Sequence, residues 1–228
     1  GRLVLETRTV TNPRTVSYAY DAVGNRTRMV RNGVEVAYTY DANDRMLTAG
    51  GTSYGYDANG SRVSQTTAGA LRSFSWDGNR RLVGVTDVSG SRRFSYDADG
   101  HRVAREAGGQ TTRYLIDAYN PTGLEQVLEE RDSVAGLTAR YTLGVTRLSM
   151  TRGGTVSFYQ TDALGSTRLL TDATGAASDA YGYDAFGMTT VAVGPTANTF
   201  RFAGEEQDAD HDLYNLRARW MDPSTGRF

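Results

Sequence analysis

Phe94-Ser95-Tyr96-Asp97-Ala98-Asp99-Gly100-His101-Arg102-Val103-Ala104-Arg105, running on to Gly108-Gly109, is the stretch that decides the fold. Side chains alternate along a strand, so aromatics at i and i+2 share one face. The Asp that follows bonds backbone N–H groups of its own turn, and Gly takes the left-handed position. A second strand then opens with Arg and apolar residues and ends at Gly-Gly. The segment reads as two short antiparallel strands and two turns.

The same form recurs on either side. Tyr18-Ala19-Tyr20-Asp21, Tyr38-Thr39-Tyr40-Asp41 and Tyr54-Gly55-Tyr56-Asp57 precede it, as does Phe74-Ser75-Trp76-Asp77, and Tyr181-Gly182-Tyr183-Asp184 follows. From Tyr20 through Tyr40, Tyr56, Trp76 and Tyr96 the second aromatic recurs at intervals of 20, 16, 20 and 20 residues. Turns are expected at Asp21–Asn25 (with Gly24), Asn32-Gly33, Asp57–Gly60 and Asp97–Gly100, Asn-Gly being a strong hairpin signal. One such unit cannot bury its own aromatic face, so neighbours must stack and share it. The expected fold class is all-β: a continuous antiparallel sheet with an aromatic stripe and no helix of useful length.

Composition agrees. Tyr occurs 14 times and Gly 26 times, while Ile116 is the single isoleucine. Net charge is −1, which gives no electrostatic footprint for nucleic acid or an anionic membrane. All 25 basic residues are Arg. Arg stacks on aromatic rings and forks onto carboxylates, although the codon bias of a GC-rich genome also removes Lys and is the preferred explanation. The absence of Cys excludes a disulfide framework, a thiol nucleophile and a Cys-based zinc site. No apolar run is long enough for a transmembrane helix. The chain opens on Gly1 without a signal peptide and reads as an excised fragment.

The Tyr-Asp-x-x-Gly units resemble the YD repeats of RHS proteins, teneurins and the C component of insecticidal Tc toxin complexes. The second half extends the resemblance: Tyr114-Leu115-Ile116-Asp117, Tyr159-Gln160-Thr161-Asp162-Ala163-Leu164-Gly165, Tyr183-Asp184-Ala185-Phe186-Gly187 and Leu213-Tyr214-Asn215-Leu216-Arg217 are similar, in order, to landmarks of the RHS core-associated region. Asp222-Pro223-Ser224-Thr225-Gly226-Arg227-Phe228 completes it. Trp220-Met221 and Asp212 depart from the family pattern. The resemblance implies YD repeats over residues 1–112, a core-associated region over 113–228, and a place in the wall of a hollow β-shell (cocoon). Bacterial members of this polymorphic-toxin class enclose a C-terminal toxin and release it by aspartyl self-cleavage, at a motif expected beyond Phe228. The implied partners are that cargo, the remaining shell of the parent chain and a secretion-system or delivery protein. The implied location is secreted or at the bacterial cell surface. The alternative is an adhesion or recognition module of the YD-repeat type. No cofactor is expected, and no nucleic acid or membrane insertion.

Candidate sites are weak beside this. Asp97-Ala98-Asp99-Gly100 looks like the opening of a calcium loop, but lacks further oxygen ligands and a closing Glu, and the recurring turn accounts for each Asp. Asp208, Asp210, His211 and Asp212 read as a solvated acidic loop, with no metal expected. Glu205 and Glu206, adjacent on a strand, would face opposite ways. Arg219 and Asp222 are the positions to watch for self-cleavage, against a simple pairing of strand Arg with turn Asp. No hydrolase or transferase activity is expected. The first strand, near Leu3–Thr9, is expected to expose an edge that pairs with a second copy or with the parent chain.

Overall fold

A computed structural model describes residues 1–9, 13–134, 136–208 and 210–228. The fold is all-β, as expected, and the described residues contain no α-helix. Two compact units are distinguished, Gly1–Ser75 with Thr86–Val88, and Trp76–Val85 with Ser89–Phe228. The first unit carries β1 (Leu5–Arg8), β2 (Arg14–Tyr20), β3 (Arg26–Arg31), β4 (Val34–Tyr40), β5 (Met46–Ala49), β6 (Thr52–Tyr56), β7 (Arg62–Thr67) and most of β8 (Ala70–Trp76). Each pairs antiparallel with the next.

In the second unit lie most of β9 (Leu82–Asp87), then β10 (Gly90–Tyr96), β11 (Arg102–Ala107), β12 (Gln110–Asp117), β13 (Gln126–Asp132) and β14 (Gly136–Leu143). There follow β15 (Arg147–Arg152), β16 (Thr155–Thr161), β17 (Thr167–Thr171), β18 (Ala177–Tyr183) and β19 (Thr189–Val193). From β10 to β19 every strand again pairs antiparallel with its successor. A short three-stranded sheet closes the chain: β20 (Glu206–Asp208), β21 (Leu213–Leu216) and β22 (Arg219–Met221).

The Asp of each unit builds its turn. Asp41 Oδ1 accepts the N–H groups of Asn43 and Arg45, both at 2.9 Å, and the Asp41 N–H donates to the Arg45 carbonyl at 3.0 Å. Asp57 and Asp77 repeat this with Asn59 and Ser61, and with Asn79 and Arg81. Gly60, at φ +82°, takes the left-handed position that closes the Asp57 turn. Identical turns form at Asp162 and Asp172, where Thr161 and Thr171 replace the second aromatic.

A β-bulge accompanies the turns. Ala19 faces Arg28 while Tyr20 faces Arg26, so Thr27 is the extra residue. The same slip occurs before Tyr40, Tyr56, Tyr96 and Tyr183. A bulge bends and twists its strand and re-aims the neighbouring side chains. The second tyrosine is thereby aimed at the preceding repeat, where its hydroxyl donates to a backbone carbonyl. Tyr20 bonds Leu3 O at 2.7 Å, Tyr40 bonds Arg26 O at 2.8 Å and Tyr56 bonds Met46 O at 2.9 Å. In the second unit Tyr96 bonds Leu82 O at 2.8 Å and Tyr183 bonds Thr167 O at 3.0 Å.

In each unit the first aromatics are core residues. Tyr18, Tyr38, Phe74, Phe94 and Tyr114 are all buried. Between them lie the residues that open the following strands. The Arg26 guanidinium sits 5.7 Å from the Tyr18 ring centre and 4.5 Å from that of Tyr38, and Arg62 lies between Tyr54 and Phe74 at 5.7 and 4.4 Å. At the equivalent places Met46 and Leu82 are buried apolar residues. The arginines therefore stack as ring chemistry allows, each such contact being worth about 0.5–2 kcal/mol according to how dry it is. Codon bias alone does not describe their positions. In the second unit Tyr141, Met150, Tyr159, Leu170, Tyr181, Tyr183 and Phe200 form one cluster.

Candidate functional site

Within the second unit, the segment after β19 lies against the face where the aromatic rings are stacked. Trp220, on β22, packs its ring 4.5 Å from Phe94 and donates Nε1–H to the Tyr96 hydroxyl at 3.1 Å. Phe202 meets the Tyr183 ring edge-on at 5.7 Å. Tyr214 is fully buried and donates to Gly187 O at 3.1 Å, and burial pushes its phenol up to about 12. Gly187 has φ +90°, and a Cβ there would lie 2.6 Å from the Phe202 ring, so glycine permits both the turn and the approach.

The three-stranded sheet brings carboxylates onto the arginines of the larger one. Arg102 stacks between Phe94 and Tyr114, at 5.8 and 4.6 Å, and forms a buried ion pair with Glu206 of β20. Burial pushes the Glu206 carboxyl up, and Arg102 pulls against that shift. Burial likewise works against the charge on Arg102, but Glu206 and its other neighbours hold the guanidinium above its ordinary pKa. Asp208 lies 3.8 Å from Arg105 and 3.2 Å from His211 Nδ1. Burial works to raise the Asp208 carboxyl, and the bond to His211 with the nearby arginines more than reverses it. Asp210 pairs with Arg92.

These contacts correct the reading of Asp208 and His211 as part of a solvated loop, whereas Asp210 and Asp212 are exposed. The Asp208 and His211 side chains are 1% and 0% exposed. They form the docking face of β20 and the turn after it. The periodicity of the sequence could not show this, because their partners, Arg92 and Arg105, are about a hundred residues away. One signal was available: Glu206 and Asp208 are i and i+2 on a strand and so share a face. Glu205 faces away and pairs with Arg217 at 2.8 Å.

The other singled-out residues are turn and stacking residues. Asp222 caps the last turn, accepting the Ser224 N–H at 3.0 Å and bridging to Arg227. Pro223 and Gly226 lie within that turn, and Gly226 abuts Phe186. Arg219 lies over the Phe228 ring at 3.9 Å. Asp97, Asp99 and His101 are near enough together to hold an ion, but Asp97 is committed to its turn through the His101 N–H and ring.

A cavity of ≈ 300 Å³ opens beside this segment, bounded by Gln126, the β14–β15 loop, the turn between β16 and β17, Phe200 and Arg217.

Comparison with known proteins gives the arrangement a family. The model of the teneurin YD-shell matches residues 2–228. The chain belongs to that family. YD-shells are structural domains, and the role of this one is that of a shell. The fold is similar to that in a crystal structure of TcdB2-TccC3, with a TM-score of 0.51 and 18% identity over 99% of this chain and 16% of the other. In the TcdB2-TccC3-Cdc42 crystal structure the match has a TM-score of 0.51 and 17% identity, covering 93% of this chain and 15% of that one. Among curated proteins, this YD-shell is 32% identical over 129 residues to the tRNA3(Ser)-specific nuclease WapA of Bacillus spizizenii. It is 30% identical over 129 residues to the tRNA nuclease WapA of Bacillus subtilis (strain 168). Both matches cover 54% of this chain but 5% of the relative.

Proposed function

We propose that this YD-shell is the wall of an RHS-type container that encloses a C-terminal toxin for delivery to other cells. The observation that carries the reading is the match to WapA. Two tRNA nucleases resemble this wall over only 5% of their length, which leaves room in such chains for an enclosed domain. Residues 1–112 act as YD repeats and residues 113–228 as the core-associated region, whose segment after β19 lies back on the stacked face. The chain itself performs no turnover. The parent protein is bacterial and secreted or displayed at the cell surface, with a secretion-system or delivery protein as its further partner.

The test is limited proteolysis of the intact parent protein. Any domain C-terminal to Gly226-Arg227-Phe228 should resist protease at concentrations that degrade the same domain expressed alone, and become sensitive when the wall is loosened by denaturant. Equal cleavage of the enclosed and isolated domains would overturn the container and leave an adhesion surface as the reading.

A further inference from the structure

Arg147 and Arg102 hold the same place in the repeat, but they are neutralised differently. Each opens a strand after a bulge, Arg147 opposite Leu143 and Arg102 opposite Tyr96. Both guanidiniums lie between two rings. For Arg147 these are Tyr141 at 4.5 Å and Phe200 at 3.4 Å. Arg102 meets the carboxylate of Glu206. Arg147 instead donates to two neutral oxygens over long distances, Val127 O at 3.3 Å and Gln126 Oε1 at 3.5 Å, and forms no ion pair among the described residues. Its other boundary is the ≈ 300 Å³ cavity, which it lines.

Glu206 and Glu130 act on Arg147 only through space, and a desolvated charge with no carboxylate in contact is costly. Burial accordingly pushes the Arg147 guanidinium below its ordinary pKa. The second arginine of the cavity, Arg217, is already committed to Glu205. Glu205 also lines the cavity, its carboxylate held by Arg217, and the remaining walls combine apolar side chains such as Leu124, Val145 and Leu164 with Gln126, Tyr159 and the hydroxyl-bearing Thr146 and Thr161. A site of this size and lining suits a small ligand with an apolar body and one polar end. Arg147 presents a planar fork, which matches a carboxylate in two-point geometry.

We propose that the cavity beside Arg147 is a binding site for a carboxylate with a compact apolar body, the carboxylate doing for Arg147 what Glu206 does for Arg102. The carboxylate comes either from a free small molecule or from an acidic side chain of a peptide. The site stands independently of the container reading, since it needs only the geometry of the second unit.

The test uses isothermal titration of the 228-residue chain with phenylacetate, its neutral isostere phenylacetamide, and N-acetyl-Phe-Glu-amide. Saturable binding of phenylacetate or the peptide, at least about tenfold tighter than the amide, is expected on the unmodified protein. Arg147→Met, which keeps length and apolar bulk, should abolish that preference and leave the far-ultraviolet circular dichroism unchanged. Tighter binding of the peptide identifies an acidic side chain as the occupant, and tighter binding of phenylacetate identifies a free carboxylate. Equal binding of acid and amide, failure of both acids to saturate, or full affinity in a folded Arg147→Met protein would each overturn the proposal.

Discussion

At the scale of single residues, Tyr and Asp are adjacent because each performs one half of a linkage. The Asp shapes a turn with its carboxylate, and the Tyr, re-aimed by the bulge, ties the repeat to the one before. Tyr96→Phe removes the donor to Leu82 O and the acceptor for Trp220 Nε1–H. It should therefore cost about 1–3 kcal/mol, more than Tyr20→Phe, which loses the hydroxyl bond to Leu3 O. Equal urea midpoints for the two variants would contradict that ranking. Glycine positions separate in the same way. Gly33 is at φ +85° with nothing within 4 Å of a built Cβ, so Gly33→Ala should cost about 1 kcal/mol of backbone strain. Gly187→Ala adds a collision with Phe202 at 2.6 Å and should lower the thermal midpoint well beyond Gly33→Ala.

At the scale of elements, β20 is held by charge as much as by packing. Glu206→Leu leaves the Arg102 cation buried without its partner and should cost about 3–5 kcal/mol, whereas adding Arg102→Met should recover much of that loss. A double-mutant cycle by chemical denaturation reads the coupling, and additive losses would show that the pair does not act as a unit. This is also the scale at which the sequence stops being sufficient. Tyr20, Tyr40, Tyr56 and Tyr96 announce strands and turns through local chemistry, and the structure places both where that chemistry demands. The bulge opposite Tyr96 is silent, because Val103 is an ordinary strand residue until its partner's register is known. Asp208 and His211 look like solvent-facing polar residues for the same reason. What buries them is the charge on Arg92 and Arg105, and nothing in the spacing links residues so far apart. The Arg102–Glu206 pair and the cavity beside Arg147 likewise emerge only when the segment after β19 is placed on the larger sheet.

For the whole molecule, the turn carboxylates set the response to acid. Arg45's backbone N–H holds the Asp41 carboxyl below its unfolded value of 3.8, and the Thr174 hydroxyl does the same for Asp172. A depressed folded pKa contributes stability that is present above the unfolded pKa and lost as pH falls through the folded one. The thermal midpoint should therefore fall as pH drops below about 4, and Asp41→Asn should flatten that part of the curve. A midpoint indifferent to pH between about 5 and 2 would contradict this account.

The backward reach of the tyrosine hydroxyls has a consequence for lineage. Each hook asks of its predecessor only a backbone carbonyl, and every amino acid supplies one: Leu3, Arg26, Met46, Leu82 and Thr167 all serve. A copied or deleted repeat thus finds its connection already waiting, whatever side chain stands there. Ancestral duplication can lengthen or shorten such a chain one unit at a time, and the joint tolerates sequence drift on its accepting side. The constraint falls on the donor, so wherever this hook is in use tyrosine should persist longer than the residue it grips, while Trp76, Thr161 and Thr171 mark units that have given it up.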